Sequence, residues 1–231
     1  MKLMRKRVSE ESAASKMKVE LDAVLARDLD VVNAARVSLN QESDELSEKD
    51  IGLINFLMKN GHGTPFEHGY FRFRVEVPIF VAREWFRHRI GHSYNEWSGR
   101  YSEIETNFFR PEKFRTQVGK PGAYSFENIE GSEKGINDIL SEVEVAARDA
   151  YKELLSLGVA KEQARMVLPV SIYTKFIWSC NPRSLMHFLS LRTSEHAMKE
   201  IRDCALTAEC FFKDAMPYTH DAWVKAGKKA P

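Results

Sequence analysis

Residues Phe71 to Ser102 read FRFRVEVPIFVAREWFRHRIGHSYNEWSGRYS, and the change of period inside this stretch decides the fold class. Phe71, Phe73, Val75 and Val77 alternate with Arg72, Arg74 and Glu76, which predicts a half-buried strand with one wet face. At Pro78 the spacing becomes helical, with Ile79, Phe80, Ala82, Trp85 and Phe86 as apolar positions and Pro in the first turn. Gly91 and the polar residues after it predict a helix end near Ile90 and a loop from Ser93 to Arg100. Arg83 and Arg87 would then share one helix face. A guanidinium offers a fixed fork of donors and stays charged at any working pH, so Arg83, Arg87, Arg89 and Arg100 among Ser, Asn and His suit a phosphorylated, planar ligand. A solvated, salt-bridged surface is the plainer reading of the same arginines.

Outward from this stretch the chain is that of an ordinary globular protein. Its 231 residues suffice for one sizeable core. Thirty-four basic residues stand against 33 acidic ones, so bulk charge gives no reason to expect a nucleic-acid or membrane partner, and any anion site must be local. No apolar run is long enough to span a bilayer. Cys180, Cys204 and Cys210 lack C-x-x-C spacing, which predicts buried thiols in a reducing cytoplasm, without a disulfide framework or zinc site. Residues 1–17 predict a flexible extension and residues 18–231 a single domain.

Before the central stretch, Val19–Leu25 predicts a strand, and Asp28 a cap for a helix ending at Leu39 or Asn40. Ser47 opens a second helix that Asn60-Gly61 stops. His62 to His68 is a turn-rich loop whose histidines and Glu67 could ligate a metal, but nothing downstream completes a ligand set. After it, Thr106–Ser132 reads as an insertion or lid-like loop. Gly135–Leu157 is a long amphipathic helix whose Ile136, Ile139, Leu140, Val143, Ala147, Tyr151 and Leu154 predict core packing. A short helix spans Ala160–Leu168 and a strand Ile172–Ser179. Asn181 caps and Pro182 opens a helix carrying Arg183, His187 and Arg192, and Ser194 starts the last helix, which runs to Ala215.

Arg87-His88-Arg89, eight residues, then Ser98-Gly99-Arg100-Tyr101 closely resembles the signature of the flavin-dependent thymidylate synthases. The resemblance runs from about Val31 to Met216, through Ala34–Ser38, His62–His68, Pro78–Arg83, Ala164–Pro169, Asn181–Phe188 and Leu191–Ala197. It implies reductive methylation of dUMP to dTMP, with methylene-tetrahydrofolate as carbon donor and NADPH-reduced FAD as hydride source. It also implies a homotetramer whose sites are shared between subunits. Carried over, the flavin contacts fall on Ser38, His62, Thr64, Glu67, Arg87, His88, Arg89 and Ile90, joined by Asn181, Arg183 and His187. The nucleotide contacts fall on Glu84, Arg87, Glu96, Ser98, Gly99, Arg100, Arg165 and Arg192.

The implied chemistry assigns Arg165 and Arg192 to the uracil oxygens, and Arg87, Ser98 and Arg100 to the phosphate. Ser98 is also a candidate nucleophile, though no evident base activates it. No cysteine lies beside the arginines, and Cys180 is the nearest. The chain departs from the family's commonest form at Glu84, where Gln is frequent, and at Gly91-His92, where the loop is one residue longer. His88 reads either as a core histidine or as a flavin or folate contact. Three other functions fit the same residues: a flavin- or nucleotide-dependent oxidoreductase that does not methylate, a nucleic-acid-binding module and a structural metal protein. Few strands and several long helices predict an α+β fold, with helices packed on a small mixed or antiparallel sheet. The family's α/β architecture agrees broadly with it.

Overall fold

A computed structural model describes residues 17–120 and 123–231. Its centre is a four-stranded sheet in the order β1 (Lys18–Leu25), β2 (Tyr70–Pro78), β6 (Tyr173–Cys180), β3 (His92–Glu96), with every pairing antiparallel. The alternation in β2 is reproduced side by side: Phe71, Phe73, Val75 and Val77 are buried, while Arg72, Arg74 and Glu76 lie on the wetter face. On that face Asp22 accepts from Arg72 and Arg74 at 2.5 and 2.9 Å. Partial burial of the Asp22 carboxyl works against its charge, but the two arginines prevail and hold its pKa below the usual value.

The other face carries the helices α1 (Asp28–Arg36), α2 (Glu48–Lys59), α3 (Ile79–Trp85), α6 (Pro182–Arg192), α7 (Lys199–Ala215) and α8 (Pro217–Lys225). Their shared core is aromatic. Phe73 stacks on Trp178 at 4.7 Å, Trp178 meets Phe188 at 4.8 Å, and Phe188 stacks on Trp85 at 4.9 Å. Strands β2 and β6 are thereby tied to α3 and α6, the elements that carry the arginine-rich turn and Arg192. In α2, Asp50 accepts from the Ser47 backbone N–H at 2.8 Å, a capping arrangement, and Gly61 takes the left-handed conformation at φ +70°.

Several sequence expectations are corrected. Helix α3 ends at Trp85, not near Ile90, so Arg83 and Arg87 share no helix face. The chain must turn there to bring the following residues to the sheet edge, and Phe86 folds in against Tyr94 and Phe176. What read as a loop from Ser93 contains β3, which pairs with β6 from His92↔Cys180 to Glu96↔Phe176. Thr106–Ser132 contains a two-stranded hairpin, β4 (Arg115–Lys120) and β5 (Ala123–Asn128). The helix foreseen over Ala160–Leu168 is a four-residue piece, α5 (Lys161–Ala164), followed by a 3-10 turn that begins at Arg165.

Helix α7 starts at Lys199, after a turn over 194–197, and Pro217 opens the further helix α8. Asp28 does not cap its own helix. It is the first residue of α1, and its buried carboxylate accepts from the Tyr218 and Thr219 backbone N–H groups at 3.1 and 2.7 Å and from the Thr219 hydroxyl at 2.6 Å. It therefore caps α8, far away in sequence. Only Ala147 and Tyr151 are buried in α4 (Glu133–Ser156), and Ile139 and Val143 are exposed. The extension expected over residues 1–17 lies outside the described residues up to residue 16, and Met17 is already buried.

Candidate active site

The turn after α3, the start of β3 and the exposed side of α6 enclose a cleft of ≈ 890 Å³. Glu84, Arg87, His88, Arg89, Ile90, His187 and Arg192 line it, all of them positions singled out from the sequence. His92, expected only as one of the polar groups among the arginines, also lines it, as do Ser190, Ser194 and His196, to which the sequence assigned no site role. Helix α6 presents its residues in a set phase because its start is pinned: Asn181 Oδ1 accepts from the Ser184 N–H at 2.8 Å, and Pro182 occupies the first turn.

Arg192 is the most constrained cation of the cleft. Its Nε–H donates to His88 Nε2 at 2.9 Å, while its terminal nitrogens donate to Glu84 Oε2 at 2.8 Å and the Glu84 carbonyl at 3.0 Å. The Arg192 side chain is only 16% exposed, whereas Arg87 is 73% exposed and reaches the Glu84 carboxylate only at 3.7 Å. Glu84 thus orients Arg192 through both its carboxylate and its carbonyl.

His88 accepts from Arg192 because it is neutral. Burial, then the charge of Arg192, pushes its pKa down to about 3. His92 is pushed down to about 4, chiefly by burial and next by His187. The Tyr94 hydroxyl lies 2.8 Å from the His88 carbonyl and 3.2 Å from that of Trp85, so it ties the arginine-rich turn to the sheet edge. Burial pushes that phenol's pKa above the usual range. On the other side of His92, the Trp178 indole N–H donates to Nδ1 at 2.9 Å. His92 Nε2 is buried and has no hydrogen-bond partner among the described residues, a state that costs about 1–3 kcal/mol.

The two neutral imidazoles make the fold acid-sensitive. In the unfolded chain they return to the ordinary value of 6.5, so between there and about pH 4 the unfolded state binds more protons. Stability therefore falls as pH falls through that window. Asp28 opposes this, since burial pushes its carboxyl pKa up. The thermal midpoint should drop between about pH 7.5 and about pH 4.5, and His92→Phe should flatten the drop. A midpoint that stays level or rises would rule out neutral histidines.

The remaining foreseen residues form two groups that do not line this cleft. Ser98, Gly99 and Arg100 follow β3. Arg100 Nε reaches Glu162 Oε2 at 2.7 Å, and Arg165 Nε donates to the Glu162 carbonyl at 3.3 Å. A side chain at Gly99 would meet Ile104 at 2.6 Å, so the backbone approaches closely there. Nearby, Glu96 Oε1 accepts from the Thr174 hydroxyl at 2.6 Å.

The other group joins the His62 loop to the start of α6. Arg183 pairs with Glu67 at 2.5 Å, Thr64 opens a 3-10 turn and His62 stacks on Phe56 at 5.7 Å. Ser38 donates to the Ala35 carbonyl at 3.1 Å. Among the described residues no cluster of three or more His, Cys, Asp or Glu is arranged to hold a metal, and no helix is long and apolar enough to cross a membrane. None of the cysteines lines the cleft; Cys180 and Cys204 are buried as expected, whereas Cys210 is exposed. Burial pushes the Cys180 thiol well up and the Cys204 thiol up to about 12.

This arrangement, an oriented guanidinium beside neutral imidazoles with further arginines at the rim, can hold a planar, anionic ligand and stabilise charge on it. It has close parallels among known proteins. The family model described as "Thymidylate synthase complementing protein" matches residues 21–218. A flavin-dependent thymidylate synthase of Tropheryma whipplei (strain TW08/27) is 46% identical, covering 94% of this chain and 96% of that one. One from Thermotoga neapolitana is 44% identical, over 91% and 92%. The crystal structure of a UMP/dUMP methylase, PolB from Streptomyces cacaoi, bound with 5-Br dUMP, superposes with a TM-score of 0.87 at 39% identity, covering 94% of this chain and 99% of that one. With the signature, the fold and the near full-length identity in agreement, the chain belongs to the flavin-dependent thymidylate synthase family.

Proposed function

We propose that the protein converts dUMP to dTMP with FAD, NADPH and methylene-tetrahydrofolate, and without a cysteine nucleophile. The observation that carries this reading is the Arg192 guanidinium, pinned by Glu84 and a neutral His88 inside the cleft. A uracil ring is a weak carbon nucleophile, and a pre-organised cation at its carbonyl oxygen stabilises the charge that develops as C5 attacks. We assign that task to Arg192 and Arg165. Arg87, Ser98 and Arg100, with the backbone at Gly99, would take the phosphate. Glu96 would complete the nucleotide contacts.

FAD fits the residues present. The cleft has arginines at its rim and an orphaned buried N–H donor in its wall, and Ser38, His62, Thr64, Glu67, Asn181 and Arg183 would hold the rest of the cofactor. When bound and reduced by NADPH, FAD supplies the hydride that completes the methyl group, with tetrahydrofolate leaving unoxidised. The buried Cys180 and Cys204 thiols support a route without a thiolate.

A homotetramer, with sites shared between subunits, fits two features. Ser98, Arg100 and Arg165 stand outside the Arg192 cleft of their own chain, and Ile139 and Val143 of α4 lie exposed where a second subunit could cover them. We further read residues 18–231 as one domain working in a reducing cytoplasm, free of nucleic-acid or membrane partners.

The visible spectrum of the purified protein, reconstituted with FAD where needed, tests the reading. Oxidised-flavin bands that shift on addition of dUMP are expected, followed by methyl transfer when methylene-tetrahydrofolate and NADPH are supplied. UMP run in parallel reports how far the 2′-position is discriminated. Failure to take up FAD, or flavin uptake with no response to dUMP, would overturn it.

A further inference from the structure

We infer that His92 is a flavin-binding residue whose Nε2–H donates to an acceptor atom of the isoalloxazine ring. This rests on the flavin reading above and adds a residue that the family resemblance did not supply.

The indole N–H of Trp178 can only donate, so His92 Nδ1 must accept, at 2.9 Å. In a neutral imidazole the proton then sits on Nε2. That atom is buried and has no partner among the described residues, although buried donors are nearly always satisfied. The ring cannot easily swing to find one. It stacks on Trp178 at 5.9 Å with an interplanar angle of 14°, and on Tyr94 at 6.1 Å with 9°. His92 lines the same cleft as Arg87, His88, Arg89, Ile90 and His187, the positions assigned to the flavin.

The donor's chemistry selects the ligand atom. A single neutral N–H suits a ring nitrogen or carbonyl oxygen, whereas a phosphate is better served by the arginines at the rim. The local sequence is shaped to place it. Gly91 turns at φ +72°, and the Ser184 hydroxyl donates to the Ile90 carbonyl at 3.1 Å, so His92 enters β3 opposite Cys180 with its ring at the cleft wall. The left-handed turn at Gly91 is therefore the feature that places the donor.

The test is titration of the apo-protein with FAD, followed by quenching of flavin fluorescence, in wild type, His92→Phe, His92→Gln and Trp178→Phe. His92→Phe keeps the stacked ring and removes the N–H, and FAD affinity should fall about tenfold or more, ~1.4 kcal/mol. His92→Gln should recover part of it. Trp178→Phe removes the indole donor that fixes the tautomer, so Nε2–H is populated only part of the time, and it should lower FAD affinity by less than His92→Phe does.

Equal FAD affinity in wild type and His92→Phe would overturn the inference. So would a loss confined to dUMP affinity, which would make the nucleotide the acceptor. If His92→Phe does not fold, the His92 Nε2–H resonance in 15N-histidine-labelled wild type decides: it must shift on adding FAD, and no shift overturns the inference. Wild type that takes up no FAD defeats the flavin reading itself, a separate and recognisable result.

Discussion

Arg192→Ala is expected to lower methyl transfer by about a thousandfold while the protein still takes up flavin, the upper range for loss of one pre-organised donor at a developing charge. The size follows from the geometry. Three acceptors, His88 Nε2, Glu84 Oε2 and the Glu84 carbonyl, hold the guanidinium in one orientation, so little rearrangement is needed as charge develops on the ligand. Lysine is no substitute, because a compact ammonium cannot reproduce that fork, and Arg192→Lys should remain severely impaired. Removal of the cation also frees the Glu84 carboxylate beside the substrate, which adds repulsion to the lost attraction. Turnover measured alongside flavin content and dUMP binding checks the expectation. Turnover within about tenfold of wild type would remove Arg192 from the chemistry.

Gly91→Ala is expected to cost roughly 2–5 kcal/mol of stability, with loss of flavin uptake. Two penalties add at this residue. Its φ of +72° is the left-handed region, which an L side chain enters at a cost of about 1–2 kcal/mol. A Cβ there would also overlap the Ser184 hydroxyl, and overpacking costs about 1–3 kcal/mol more. Neither partner can retreat easily, since Ser184 is buried in the first turn of α6 and its hydroxyl holds the Ile90 carbonyl. Gly52 is the internal control, for it lies inside α2 with nothing within 4 Å of an added Cβ, and Gly52→Ala should not destabilise. Equilibrium urea unfolding of the two variants checks both. A Gly91→Ala midpoint equal to wild type would show that the turn is not constrained.

Strand β2 and helix α6 were legible in the sequence because their signals are local. The Phe71–Val77 alternation needs only one core on one side, and Asn181-Pro182 sets a helix start within a single turn. Strand β3 was not legible. An edge strand is paired on one side only, and its string of His, Ser, Tyr and Asn shows no alternation of apolar and polar residues. The early end of α3 was hidden for a related reason. Arg87, His88 and Arg89 are acceptable helix residues, and it is the long-range need to bury Phe86 and pair His92 with Cys180 that turns the chain.

The same division runs through the candidate site. The types and spacing of Arg87-His88-Arg89 and Ser98-Gly99-Arg100 marked it, and Glu84, His88, His187 and Arg192 do line one cleft. Periodicity correctly marked α4 as amphipathic, but only the folded chain left Ile139 and Val143 without cover, since a pattern names an apolar face and not what meets it. The sequence by itself determined the fold class, the family and the arginine-rich signature, because these reside in local period and local spacing. Tertiary structure alone decided that Asp28 caps α8, that Glu84 orients Arg192, and that Trp178 sets the proton on His92. Each of these is a hydrogen bond between residues 86 to 191 positions apart, and no local pattern carries such information.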